Sequence, residues 1–234
     1  GTTNSITLPS SVQGFDATIT WASSDTTIIT NDGTVTHPEK DTNVKLTATI
    51  ASNDVTDTKE FSVLVYGTNS NYTEVASLDL EDALPAASYG CSETKSSYDE
   101  GTVELGTPTY TWLLRNALIG GDKSDTRNGT FSIRTQSNSD EAKTGRIEIQ
   151  EDLEINAVQF NAGLYGTNPT IQVGVQYSKD NGTTWIDTNV IITITTAQLN
   201  EYRILLPETA DRVAIYAVAG TGKRVNIDDI QLLK

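Results

Sequence analysis

The groups in this chain best placed to do chemistry are its carboxylates, its arginines and a few aromatic rings. Nucleophilic catalysis of the Ser-His-Asp or Cys-His type needs an imidazole beside the nucleophile. Here His37, next to Pro38, is the only histidine and Cys91 the only cysteine, so a Cys-His pair would have to reach across domains, as would any triad using a nucleophile outside the first domain. The same counts leave too few imidazoles and thiolates for a zinc centre, and Cys91, with no possible disulfide partner, reads as a small buried side chain. The "AGTGKR" stretch at 219–224 lacks both the upstream spacing and the hydroxyl residue after lysine that a phosphate-cradling loop requires, so it reads as a hairpin turn.

Carboxylates are abundant, 31 against 16 Lys and Arg, for a formal net charge of -15. That balance argues against duplex nucleic acid as a direct partner, because affinity for a phosphate backbone rests on cationic side chains. Two carboxyl groups flanking a sugar linkage can hydrolyse it, and Glu148, Glu151, Asp152 and Glu154 cluster near one strand and its turn. With no apolar pocket apparent around any pair, the cluster reads as a solvated face. For binding, the candidates are Tyr110 and Trp112 on one face of a strand, Tyr165 at a strand end beside Gly166, and Arg115 and Arg134 inside strand-like runs. Aromatic faces stack on sugar rings, and a guanidinium can donate two hydrogen bonds to a pair of hydroxyls or to a carboxylate. Packing in a core is the competing role for Trp112, and Trp21 reads as core.

These residues must be held by strands. Before residue 66 short alternating runs are separated by turns, as in Val44, Leu46, Ala48 and Ile50, and again in Phe61, Val63 and Val65. That period of two puts one face of each strand on a core. Asn31-Asp32-Gly33 marks a turn, and roughly seven strands in about 65 residues predict a small immunoglobulin-like sandwich. "ITWASSDTTIITNDGTVTHP" followed by "VKLTATIASNDVTDTKEFSVLV" resembles the atrophied bacterial immunoglobulin-like domain over about residues 4–66. The resemblance implies a spacer in a secreted or surface-attached bacterial protein. The polar "GTNSNYT" at 67–73 then places a boundary between domains 1–67 and 73–234.

After the boundary the strands lengthen. Ile171, Val173, Val175 and Tyr177 alternate with Gln172, Gly174 and Gln176, while the run from Arg212 to Val218 is almost continuously apolar, as in a strand buried on both sides. Eight or more strands in about 160 residues predict a two-sheet jelly roll, so the fold class is all-β, a small sandwich followed by a larger one. "LDLEDA", "YTWLLRNALIGGD", "GTFSIRTQ", "VQFNAGLYG" and "VNIDDIQL" resemble, in order, the jelly-roll modules attached to secreted bacterial nucleases and carbohydrate-active enzymes. Such modules imply binding or an accessory role, with chemistry done by another domain. Many also hold a structural Ca²⁺ between first and last strands, which would use Glu81 and Asp228. The competing reading is that Asp228 and Asp229 end an edge strand with charges that oppose aggregation, and strand parity does not say which of the two would face inward.

"YSKDNGTTW", Tyr177 to Trp185, fits the Asp-box pattern of sialidases. Its content is a hairpin: Asp180 accepts from turn amides, Gly182 supplies a conformation that a Cβ disfavours, and Trp185 is expected to be buried beneath the turn. Sialidases carry several copies with an arginine cluster and a tyrosine nucleophile, whereas one copy is present here. The expectation is a non-catalytic, monomeric spacer-plus-binding fragment of a secreted or cell-surface protein, taking polysaccharide or another surface glycan, with no membrane insertion. Its rival is an accessory region of an extracellular nuclease or glycoside hydrolase whose catalytic domain lies elsewhere.

Overall fold

The computed structural model describes residues 4–53, 55–68, 71–81, 83, 91–92 and 94–234. Residues 69 and 70 of the expected linker and residue 82 of the "LDLEDA" motif lie outside the described residues. The chain divides into two compact units, Gly1–Asn71 and Tyr72–Lys234, the division falling inside the polar 67–73 stretch.

The first unit pairs β1 (Asn4–Ser5) with β3 (Thr34–Val35) and stacks β2 (Thr18–Ser23), β4 (Thr42–Ser52) and β5 (Val55–Val65) into a three-stranded sheet. Its described residues form five strands where seven are predicted, because the segments around β2 are held by turns and single bridges, such as Ser11 to Thr18 and Ile29 to Val35. The alternation in β4 buries Val44, Leu46 and Ala48, the first two against Ile28, Ile29, Val35 and Val65. Trp21 is only partly buried: its Nε1 donates to the Pro9 carbonyl at 2.9 Å, and its ring packs on the half-exposed Phe61 at 5.5 Å. At the Asn31-Asp32-Gly33 turn, Gly33 has φ +90°, and a Cβ there would fall 2.2 Å from the Ile6 carbonyl oxygen, so only glycine fits.

The second unit is a sandwich of two six-stranded sheets. One sheet runs β15 (Asn200–Ala210), β12 (Ile155–Leu164), β17 (Arg224–Leu233), β10 (Ser132–Gln136) and β9 (Ala117–Gly120), with β6 (Glu74–Leu78) also paired to β17. The other runs β14 (Ile186–Ile194), β13 (Ile171–Ser178), β16 (Arg212–Ala217), β11 (Arg146–Ile149), β8 (Tyr110–Arg115) and β7 (Gly101–Leu105). Alternate residues of both sheets fill one core, among them Ile133, Phe160 and Ile227 from the first and Trp112, Ile147 and Val175 from the second. Burial of this apolar surface is what drives the two sheets together. No helix of the described residues is long and apolar enough to cross a membrane.

Candidate functional site

The period of two that buries Ile147 and Ile149, Val173 and Val175, and Val213 and Ile215 turns the intervening residues onto the opposite face of the second sheet. That face carries a cavity of about 270 Å³, lined by Arg115, Glu141, Arg146, Gln176, Asp187 and Tyr216 together with the short wall Val218–Ala219.

Its floor is shaped by a glycine. The Tyr216 ring lies over Gly174, where a Cβ would sit 2.6 Å from the phenol carbon Cζ. The Tyr216 hydroxyl donates to Asp187 Oδ2 at 2.5 Å, and burial together with that bond raises the phenol's pKa. Beside the ring Arg146, only 7% exposed, donates from Nε to Glu148 at 2.6 Å and from Nη1 to Gln176 at 2.7 Å. Burial pulls its guanidinium below the ordinary arginine range, against the opposing pull of Glu148. Its Nη2 is buried with no hydrogen-bond partner among the described residues, as is Nε of Arg115 at the cavity rim. Donors of this kind are costly unless something accepts from them.

The Asp-box hairpin reaches this site through one contact, the Trp185 ring on Arg146. Asp180 Oδ1 accepts from the Thr184 amide at 2.8 Å and Oδ2 from the Thr184 hydroxyl at 2.7 Å, while the buried Ser178 hydroxyl accepts from the Gly182 amide at 2.8 Å. Gly182 has φ +79°. Trp185 lies against the turn, its Cζ2 3.6 Å from where a Gly182 Cβ would sit, but it is half-buried rather than enclosed, which corrects the expectation that it is buried there. Its ring stacks on the Arg146 guanidinium at 4.2 Å, so the partner of its apolar face is a cation of the sheet rather than the core.

The five residues expected to bind ligand are not one site. Arg115 rims the cavity. Trp112 is 2% exposed and faces the core, flanked in the sheet by Val103 and Ile149, so its ring is not available for stacking on a ligand; Tyr110, at the start of the same strand, packs partly buried against that core. Arg134 and Tyr165 belong to the other sheet. Arg134 is paired with Asp125 at 2.5 Å and Asp122 at 2.7 Å. Burial would lower its pKa, but the hydrogen bond and charge of Asp125 raise it. Tyr165 lies under this guanidinium at 4.3 Å and donates its hydroxyl to Asp122. The pair thus fixes the loop between β9 and β10. Arg146, Gln176, Asp187, Tyr216 and Trp185 were not singled out for binding, although strand parity in "RIEI" and "IQVGVQY" marks the first two as facing away from the core.

Glu81 and Asp228 converge on the turn at 128–130. Asp228 Oδ2 accepts from the Asn128 amide at 2.8 Å and Glu81 Oε1 from the Thr130 amide at 2.7 Å. A bulge in β17, with Asp229 at φ +47°, resolves the parity question: Asp229 Oδ2 also reaches Asn128, accepting from Nδ2 at 3.2 Å. Burial, with Asp229 and Glu81 nearby, pushes the Asp228 carboxyl up to about 7. These hard oxygen donors suit Ca²⁺ in kind, yet among the described residues no group of three or more His, Cys, Asp or Glu is arranged to hold a metal ion.

Residues 1–68 match the family model of the atrophied bacterial Ig domain, the family that the first unit's residues resemble. Among curated proteins none matches the chain. Solved structures similar to it include the CBM22-1 xylan-binding domain of Paenibacillus barcinonensis Xyn10C, 9% identical with a TM-score of 0.44 over 70% of this chain and 97% of that one. TmCBM61 in complex with β-1,4-galactotriose is 14% identical, with a TM-score of 0.36 over 53% of this chain and 87% of that one. The K2 cleaved adhesin domain of Lys-gingipain is 13% identical, with a TM-score of 0.37 over 52% and 82%.

Proposed function

We propose that the second unit binds carbohydrate in the cavity between Tyr216 and Arg146, and that the chain is a non-catalytic part of a secreted or surface-attached bacterial protein in which the first unit is a spacer. The observation that carries this reading is the buried, unpartnered Nη2 of Arg146 next to an aromatic ring that passes over Gly174, where no Cβ blocks it. A sugar offers both things the cavity lacks: hydroxyl oxygens for the free donors and an apolar ring face for the phenol. Binding rather than hydrolysis is supported by the carboxylates, since Glu148 is committed to Arg146 and Asp187 to Tyr216. At the 128–130 turn, the exposed Glu81 and the buried Asp228 would hold a structural Ca²⁺, which would stabilise the unit by neutralising the Asp228 carboxylate that burial leaves without a cationic side chain.

A glycan array probed with the full chain tests the main reading. Signal on plant, microbial or host polysaccharides is expected, lost in Tyr216→Ala and Gln176→Ala proteins that circular dichroism shows to be folded at the assay temperature, although both changes lower the melting temperature by removing the bonds to Asp187 and Arg146. A blank array would instead favour an accessory region of a nuclease or hydrolase.

A further inference from the structure

A second cavity, of about 210 Å³, adjoins the first and shares its Val218–Ala219 wall. It is lined by Ser137, Gln172, Thr193 and Lys223, and the two cavities are joined by one strand. Gln176 lies in the first and Gln172 in the second, both on the face of β13 away from the core, with Gly174 between them beneath the Tyr216 ring. Four residues of strand separate the glutamines by roughly 13 Å at about 3.3 Å per residue, which exceeds one pyranose ring.

Resting on the carbohydrate reading above, we infer that the second cavity is a further subsite and that the ligand is a neutral oligosaccharide chain spanning both, with one ring over Tyr216 and the next beside Gln172. The charge pattern selects neutrality. Arg146 is matched by Glu148 at 2.6 Å and Arg115 faces Glu100 at 3.9 Å, while Glu141 and Asp187 add negative charge to the same cavity. No cation is left in surplus there for a uronate or sulfate, on a protein of formal net charge -15. In the second cavity the one charged side chain is Lys223, whose Nζ donates to the Thr170 carbonyl at 2.9 Å. Apart from this ammonium, which keeps two further donors, the groups left for a ligand there are polar and uncharged, and the preference for a neutral chain rests on the charges of the first cavity. Gln172 and Thr193 are exposed and meet each other only at 3.5 Å, a length at which a hydrogen bond is weak and easily exchanged for one to a sugar hydroxyl.

The test is calorimetric titration of the full chain with neutral β-1,4-linked gluco-, xylo-, manno- and galacto-oligosaccharides, from monosaccharide to hexasaccharide, and with oligogalacturonides of the same lengths. For at least one neutral series, affinity should rise about tenfold between monosaccharide and trisaccharide, the scale of one or two added hydrogen bonds. The double variant Gln172→Ala, Thr193→Ala, confined to exposed side chains, should lose most of that gain while binding the monosaccharide as the parent does. Affinity independent of length, a length gain that the double variant retains, or tighter binding of the oligogalacturonides would overturn the inference and leave the first cavity's role standing. Failure of every sugar to bind would overturn both.

Discussion

The indole of Trp185 is stacked on the guanidinium of Arg146 at 4.2 Å, joining the tip of the β13–β14 hairpin to the middle of the sheet that carries the cavity. The Asp-box thus has a second consequence beyond closing its own turn: it holds the ring that shields Arg146 from solvent. A guanidinium kept in place this way presents its free donors in a fixed direction, which reduces the ordering cost of binding.

Trp185→Ala should therefore destabilise the second unit by roughly 1–3 kcal/mol, less than truncation of a fully enclosed tryptophan because the ring is half-exposed. It should also weaken carbohydrate binding by freeing Arg146. Asp180→Ala should cost less stability, since only the Thr184 and Ser178 contacts are lost. Urea unfolding followed by fluorescence gives both values. A Trp185→Ala protein with parental stability and parental affinity would sink the proposed coupling.

Gly174→Ala adds one methyl group beneath the Tyr216 ring, 2.6 Å from Cζ. The ring must lift, straining its bond to Asp187, and overpacking of this kind costs about 1–3 kcal/mol. Binding should fall with it. A crystal structure of the variant with Tyr216 in its parental position would refute the steric argument.

Alternation made the two sandwiches legible because a strand with one face in the core writes that face into every second residue. The Ile171 to Tyr177 run and the pairing of Asp180 with its turn amides are of this local kind. What stayed hidden depends on tertiary context. Trp112 and Tyr110 carry the same alternation whether their face meets a core or a ligand, and only the position of the opposite sheet decides. Arg134 and Arg115 are chemically equivalent in sequence, yet Asp122 and Asp125 neutralise one and leave the other at a cavity rim. The bulge at Asp229 breaks the parity on which any reading of "NIDDI" depends.

Arg134→Ala should cost about 3–5 kcal/mol, because it leaves the buried Asp125 carboxylate without its cation. Asp125 would keep the Asn226 amide at 2.8 Å but no charge partner. Carbohydrate affinity should be unchanged, since the residue lies on the sheet opposite the cavity. Lost affinity in a folded Arg134→Ala protein would return this residue to the ligand site.

The two units should melt separately. The first relies on a small core around Ile28, Ile29, Val35, Val44, Leu46 and Val65, and a domain of that size buries proportionally less surface than a larger one. Calorimetry of the full chain should show two transitions, the lower one reproduced by residues 1–71 expressed separately and the upper by 72–234. A single cooperative transition, or either half unfolded when isolated, would contradict independence.

The Asp228 carboxyl, pushed up to about 7 by burial with Asp229 and Glu81 nearby, gives a pH test that also bears on calcium. A folded-state value above the ordinary aspartate value of about 3.9 means that the folded unit holds a proton the unfolded chain releases. This stabilisation is full below about pH 4 and is lost as pH rises toward about 7. In chelator, the second unit's melting temperature should accordingly fall by roughly 10 °C across that window, and Asp228→Asn should flatten the slope. Ca²⁺ binds the carboxylate form, so the rise in melting temperature it produces should be greater at pH 7 than at pH 5 and should be absent in Asp228→Asn. Glu81→Gln should abolish the calcium response while retaining a pH slope in chelator, because Asp228 remains buried. Melting temperatures unaffected by Ca²⁺ at pH 7 would remove the metal from the second unit, and a flat profile in chelator would remove the buried proton as well.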